Sequence, residues 1–355
     1  MKIGIFTGRV LDPLHPRIVS YMEFFEKRGL SCQLVPPVKN RILSRINWLS
    51  LHFFDLYSVY YQRKKVSLFD IVIIQDLKYL PLSRYAKELN KTVIYETLDN
   101  NVSLRAYQLF KKLTFLKPFE KSIISAFTRK EKKYASHFCD KIIVNSKALV
   151  KYFDGRADLI YYSSSFETIG IRNNVKLNPA LLYLGEFSYD KGASEIIELQ
   201  NKLGIKLFIF GTIRADSLSE VVMVNKMIHH VYRLSHEELS LKIEDLFKNY
   251  FLIGTSMVKP VHFSYATQEA NKEIDYLAMG IPIIGNHRQP TEEKIVAGCG
   301  IFIEDDKGCG EIMSDEGFRD KLTKNCKDYY SMYYSYDHFT KAMVDAFSPF
   351  LDKKE

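Results

Sequence analysis

Short apolar runs alternate with helix-length amphipathic segments along nearly the whole chain, and this rhythm constrains the fold more than any other feature. In the first half the runs are "KIGIF" (2–6), "CQLVP" (32–36), "DIVIIQ" (70–75), "KTVIYE" (91–96), "KIIVN" (141–145) and "DLIYY" (158–162). In the second they are "ALLYLG" (180–185), "IKLFIFG" (205–211), "FLIG" (251–254), "IPIIG" (281–285) and "GIFIE" (300–304). Runs this apolar suit strands buried on both faces, and helix-length segments between them supply crossovers. "PRIVSYMEFFEKRG", opened by Pro16 and closed by Gly29, is one such helix. Strand–helix alternation implies parallel sheets covered on both sides, an α/β architecture.

The 355 residues exceed what one ordinary core organises. The expectation is two doubly wound, Rossmann-like domains, 1–168 and 178–331, facing across a cleft. The polar, strand-poor "SSSFETIGIRNNVKLNP" (163–179) serves as linker, and a helical segment covers 332–355. Five scattered cysteines with no C-x-x-C argue against a zinc site or a disulfide framework, and for a reducing compartment. "MKIGIFTGRV" does not read as a signal peptide, and Asn47, His52 and Asp55 interrupt the most lipid-like stretch. A cytoplasmic protein is expected.

The net charge of +8 conceals an asymmetry. Residues 1–177 carry 30 Lys and Arg against 15 Asp and Glu, or +15; residues 178–355 carry 20 against 27, or −7. Basic residues interleave with aromatics over 41–65 and 111–133, a pattern that suits the anionic inner face of a membrane. The alternative is that the aromatics are core and the lysines merely solvated. Nothing accompanies the charge that would identify a nucleic-acid-binding motif. His229-His230 has no carboxylate or cysteine at metal-ligand spacing.

The candidate chemistry is sought beside the strand-end glycines Gly185, Gly211 and Gly254, because open α/β sheets bind ligands at the carboxyl ends of their strands. In "NKEIDYLAMGIPIIGN" (271–286), Thr267 is a plausible cap for a helix over 268–279, with Gly280 as its left-handed stop. Lys272 and Asp275 then share one face, with Tyr276 a turn beyond Lys272. The helix start at Ala270-Asn271 offers free N–H groups to a diphosphate, and Asp275 can accept from a ribose diol. The other reading is a plain surface salt bridge. In "LYLGEFSYDKGASEIIEL" (182–199), Gly185 ends a strand and Lys191-Gly192 opens a helix, so Lys191 either meets a phosphate or is solvated. "LFIFGT" adds Gly211 and Thr212 at the same edge.

Together these residues resemble the donor-binding domain of GT-B glycosyltransferases, in particular retaining family 4. "YLGEFSYDKG" is similar to that family's Gly-Arg-x-x-x-x-Lys-Gly region, "NKEIDYLAMGIP" to its Lys-x-x-Glu-Tyr-x-Ala-x-Gly-x-Pro segment, and "EEKIVAGCGIFIE" to the strand that follows. "KTVIYETLDN" and "EKKYASHFCDKIIVNSKALVKYF" extend the likeness into the first half. The chain departs from the pattern at Glu186, which replaces the family arginine, and at Thr267 and Asp275, which replace its paired glutamates. Leu98 stands where a histidine is frequent.

The resemblance implies a C-terminal helix crossing back to the first domain, which holds the acceptor, while the second holds the nucleotide-sugar donor. It implies transfer of a sugar, with retention, from a nucleotide-diphosphate sugar (UDP or GDP) to a glycan or lipid-linked acceptor, in cell-surface polysaccharide synthesis. No metal or other cofactor is expected, and the chain has no Asp-x-Asp. Catalytic roles fall to Lys191, Lys272 and Asp99, the last being an acceptor contact or a helix cap. Donor contacts fall to Gly185, Gly211, Thr212, Thr267, Ala270, Asn271, Asp275 and Tyr276. Gly8 and Arg9 lie on the phosphate and acceptor side. A nucleotide-sugar epimerase and a non-catalytic nucleotide-sugar-binding relative are the alternatives.

Overall fold

A computed structural model of the chain describes residues 1–8, 16–38, 43–167, 173–232 and 234–351. Arg9 therefore lies outside the described residues, as do 41–42 of the first basic segment and the last four residues.

The chain divides into two compact units, one made of 1–162, 262–264 and the tail from Phe339, the other of 163–261 and 265–338. The first unit is a parallel sheet of strands β1 (Lys2–Thr7), β2 (Ser31–Val35), β3 (Ile71–Gln75), β4 (Thr92–Thr97), β5 (Lys141–Val144) and β6 (Asp158–Leu159), in the order β2-β1-β3-β4-β5-β6. Every residue of β3 is buried, as expected of a strand covered by helices on both faces. The helix Pro16–Glu26 packs against the C-terminal helix Tyr336–Leu351: Phe347 meets the rings of Tyr21, Phe24 and Phe25, the last at a centroid distance of 5.0 Å. The tail thus returns to the first unit.

The second unit contains β7 (Pro179–Leu184), β8 (Leu207–Phe210), β9 (Ile228–Val231), β10 (Phe251–Ser256), β11 (Ile283–Gly285) and β12 (Gly300–Phe302). They pair in parallel in the order β12-β11-β10-β7-β8-β9. Winding reverses between β7 and β10 here, and between β1 and β3 in the first unit. Those two reversals are where a doubly wound sheet opens a crevice for a ligand.

Two expectations need correction. β9 is a twelfth strand that the apolar runs did not reveal. The helix expected over 268–279 is broken: one short helix ends at Thr267, and another runs Asn271–Met279 after Ala270, with no side-chain cap. Thr267 is the last residue of the first helix, and Ala270 stands at the cap position of the second. The Arg288 guanidinium donates to the Gln268 carbonyl and holds that oxygen out of the helical ladder.

The two basic-aromatic segments also divide. Phe53, Phe54, Tyr57 and Phe127 are buried, with Phe53 and Phe127 stacked at 3.9 Å. Trp48, Leu49, Tyr60, Tyr61, Phe115 and Phe119 stay exposed. Among the described residues, no helix is long and apolar enough to cross a membrane.

Candidate functional site

At the reversal in the second unit the backbone is drawn unusually close. Gly211 has φ +145, and a Cβ there would stand 2.0 Å from the Gly185 carbonyl oxygen. Gly192 has φ +81, and its Cβ would stand 2.1 Å from the Met257 carbonyl oxygen just past β10. Glycine is thus required to bring the ends of β7, β8 and β10 together. Thr212 completes the edge, its carbonyl accepting from the Phe187 N–H at 2.7 Å.

Two lysines converge there. Lys191 lies with its ammonium 4.0 Å from the centre of the Tyr265 ring, and Lys272 lies 3.9 Å from that of Tyr183. The proton affinity of Lys272 falls well below that of an ordinary lysine, first through burial and then through repulsion by Lys191. An anion placed between them would relieve that repulsion. Glu186, standing where the family arginine was expected, pairs with Arg214 at 2.8 Å.

The segment leading into helix Asn271–Met279 is fixed by a buried charge network. Glu273 accepts from Ser256 Oγ at 2.5 Å, Thr291 Oγ1 at 2.7 Å and Arg288 Nη2 at 2.5 Å, and pairs with Lys294 at 3.0 Å. Lys294 also pairs with Glu269. Two carboxylates thus meet two cations, all at most 4% exposed. The cations hold the Glu273 carboxyl below the usual carboxylate range despite its burial. Sequence reading missed this network: its acids precede β11 and its cations follow it, so no local spacing announces them.

Asp275 accepts from Ser164 Oγ at 2.7 Å, and burial pushes its carboxyl up to about 7. Lys272 and Asp275 thus each have a partner of their own. Ser164 donates its N–H to the Tyr330 hydroxyl, which donates to Glu167. Tyr276 is fully buried; its hydroxyl donates to the Leu182 carbonyl and accepts from the Leu184 N–H. That hydroxyl serves the end of β7. Thr267 is buried, Ala270 half-buried and Asn271 exposed at the uncapped helix start. His230 Nε2 donates to the Gly211 carbonyl at 2.8 Å and His229 stacks on Phe208, so the histidine pair holds β9 to the sheet.

At the reversal in the first unit, a Cβ on Gly8 would meet Asp76 Oδ2 at 3.3 Å. Asp76 itself adopts φ 110, a conformation L-residues rarely take, and its carboxylate pairs with Arg105 at 3.2 Å. Strain of this kind persists where surroundings over-determine it, commonly beside a site. Behind it Arg17 and Glu96 form a buried pair at 2.6 Å. Asn100, not Asp99, caps helix Asn101–Lys112, its side chain accepting from the Ser103 N–H at 2.8 Å. Asp99 stays half-buried at the end of β4, its carbonyl accepting from Thr97 Oγ1. Among the described residues, no cluster of three or more His, Cys, Asp or Glu could hold a metal.

No family model and no curated protein matches the sequence. Solved structures match the fold across the chain. HepE of Anabaena, in complex with UDP and glucose, superposes with TM-score 0.66 at 12% identity, over 98% of this chain and 100% of that one. A trehalose-6-phosphate synthase, studied for glycosyl transfer with retention, gives 0.61 at 9% identity, over 98% and 99%. AviGT4, a glycosyltransferase of avilamycin A biosynthesis, gives 0.55 at 10% identity, over 99% and 98%. The architecture is the GT-B fold expected from the sequence.

Proposed function

We propose that the chain is a glycosyltransferase that moves a sugar, with retention, from a nucleotide-diphosphate sugar to a glycan or lipid-linked acceptor. The observation that carries this reading is the convergence of Lys191 and Lys272 on the β7/β10 reversal, beside the uncapped helix start at Asn271. HepE, of the same fold, holds UDP and glucose, which favours UDP as the nucleotide.

In this reading Gly185 and Gly211 let the backbone approach the donor, with Thr212 and Thr267 alongside. The N–H groups at Ala270 and Asn271 face the diphosphate, and Asp275 accepts from the ribose. The role of Tyr276 is to hold the strand end that carries Gly185. An acceptor hydroxyl attacks the anomeric carbon on the side the diphosphate leaves. The carbon–oxygen bond to the diphosphate breaks, and the hydroxyl proton passes to the departing phosphate oxygen. Lys191 and Lys272 stabilise the negative charge that develops there, the role preorganised donors play in such steps. Gly8, Arg9 and Asp99 belong to the acceptor and phosphate side. In this reading the protein works peripherally at the inner face of the cell membrane, in polysaccharide or glycoconjugate synthesis; the basic first half and its exposed aromatics support this.

A calorimetric titration with UDP tests the donor site directly. Lys191→Ala should weaken binding by roughly 1–3 kcal/mol, the range for a lost charged hydrogen bond. Unchanged affinity would remove Lys191 from the site, and binding of neither UDP nor GDP by the unaltered protein would remove the reading itself.

A further inference from the structure

The first unit holds a second concave site that this reading does not use. Helix Asn101–Lys112 and the 3₁₀ segment Leu43–Ser50 border a cavity of about 320 Å³ lined by Trp48, Leu51, His52, Arg105, Gln108 and Lys112. Its lip is made of two successive residues with left-handed backbone, Leu51 at φ 49 and His52 at φ 60. Neither is glycine, so the turn is held against its own preference. Asn47 does the holding: its carbonyl accepts from the His52 N–H at 2.9 Å, and its side chain bridges Asp55 and the Tyr57 N–H. The turn stands the His52 ring edge-on to Trp48, at a centroid distance of 4.8 Å.

The charge in this site is cationic. Arg105 and Lys112 line it, and Lys78 lies within electrostatic reach. The proton affinity of His52 is lowered by partial burial, then by Lys112 and Lys78, with Asp55 opposing and Arg105 adding to the fall. The carboxylates nearby are engaged: Asp76 pairs with Arg105, and Asp55 accepts from Asn47 and Ser58. An anion with several acceptor oxygens suits an arginine fork beside a lysine. The rim is apolar and solvent-facing. Leu49 beside Trp48 is 81% exposed, and Phe115, two residues beyond Leu113 in the cavity wall, is 70% exposed.

We propose that this cavity binds a phosphoryl group carried on an apolar chain. It is a binding site for the phosphorylated end of the acceptor. The ligand's identity as acceptor rests on the transferase reading; its binding is independent of it. The chain contains one tryptophan, Trp48, so its emission reports on this cavity alone.

The experiment titrates the full chain with octyl phosphate below its micelle concentration, with octanol, and with inorganic phosphate. In parallel, the UDP-induced rise in melting temperature is recorded. Octyl phosphate should shift the Trp48 emission saturably, and at least about tenfold more tightly than either control, as the loss of a charge-assisted contact or of a buried chain implies. Lys112→Gln removes an exposed cation, and Gln108→Glu adds a carboxylate at an exposed position. Each should weaken octyl phosphate by about tenfold, one charge contact's worth, and leave the UDP shift unchanged. Octanol binding as well as octyl phosphate, or no effect of either variant, overturns the phosphoryl assignment. Inorganic phosphate binding as tightly as octyl phosphate overturns the apolar chain. A silent Trp48 with an intact UDP shift removes this site and leaves the transferase reading standing. A Trp48 response without a melting shift from either UDP or GDP does the reverse.

Discussion

Lys272 is where the geometry of the candidate site turns into a measurable property. Its ammonium is depressed by burial and by Lys191, so the free protein holds that proton weakly. A diphosphate between the two lysines favours the charged form and raises the affinity for the proton. Between the free and liganded pKa values binding must take up a proton, so UDP affinity falls as pH rises through that window. Above about pH 8 the nucleotide's own phosphates no longer titrate, because their last pKa is near 6. Titrations there, in buffers of different ionisation enthalpy, should show proton uptake that Lys272→Met abolishes. Uptake that persists in the variant places the titrating group elsewhere. The sequence singles out both lysines, because Lys191 opens a helix in the loop after the strand-end Gly185 and Lys272 lies on the helix that Gly280 stops. The partners of Asp275 and Tyr276 were not legible there, because Ser164 lies 111 residues from Asp275 and Leu182 lies 94 from Tyr276.

At the level of elements, apolar pattern revealed the central buried strands, and even the thinly buried β2 and β6, but missed β9. β9 reads Ile-His-His-Val and lies at the sheet edge with one buried residue, so it has no need of a continuous apolar run. The helix around Thr267 failed for a different reason. Local propensity allows it to continue, but the Glu269–Glu273–Arg288–Lys294 network takes the Gln268 carbonyl and sets a new helix start at Asn271. That network is a stability device with a functional consequence, since it determines where free N–H groups face the proposed donor. Removing one cation leaves a buried carboxylate short of compensation, which typically costs about 3–5 kcal/mol. Arg288→Met should therefore lower the unfolding free energy, read from a denaturant titration, by that much. The double variant Arg288→Met/Glu273→Gln should recover part of the loss, since the two residues are in direct contact. Purely additive losses in that cycle would mean that the pair does not act as a unit.

Charge is the property of the molecule that no single element shows. The +15 of the first half and the −7 of the second were legible from composition alone. Which aromatics would be available to a membrane was not, because burial depends on which helix face meets the core. Phe53 and Phe127 stack inside, whereas Phe115 and Phe119 remain outside among Lys111, Lys112, Lys117 and Lys121, all exposed. A lysine near an anionic bilayer contributes about 1 kcal/mol, and the attraction fades within a Debye length of about 8 Å at physiological salt. Charge alone would thus give binding that salt abolishes, while inserted aromatics leave a salt-resistant part. Sedimentation with anionic vesicles should show both components, and with neutral vesicles only a weak residue. Phe115→Ser/Phe119→Ser should remove the salt-resistant part and spare the UDP-induced melting shift, because neither residue belongs to the second unit. Equal binding to neutral and anionic vesicles would exclude the electrostatic account, and a double variant that binds normally in high salt would take the two phenylalanines out of it.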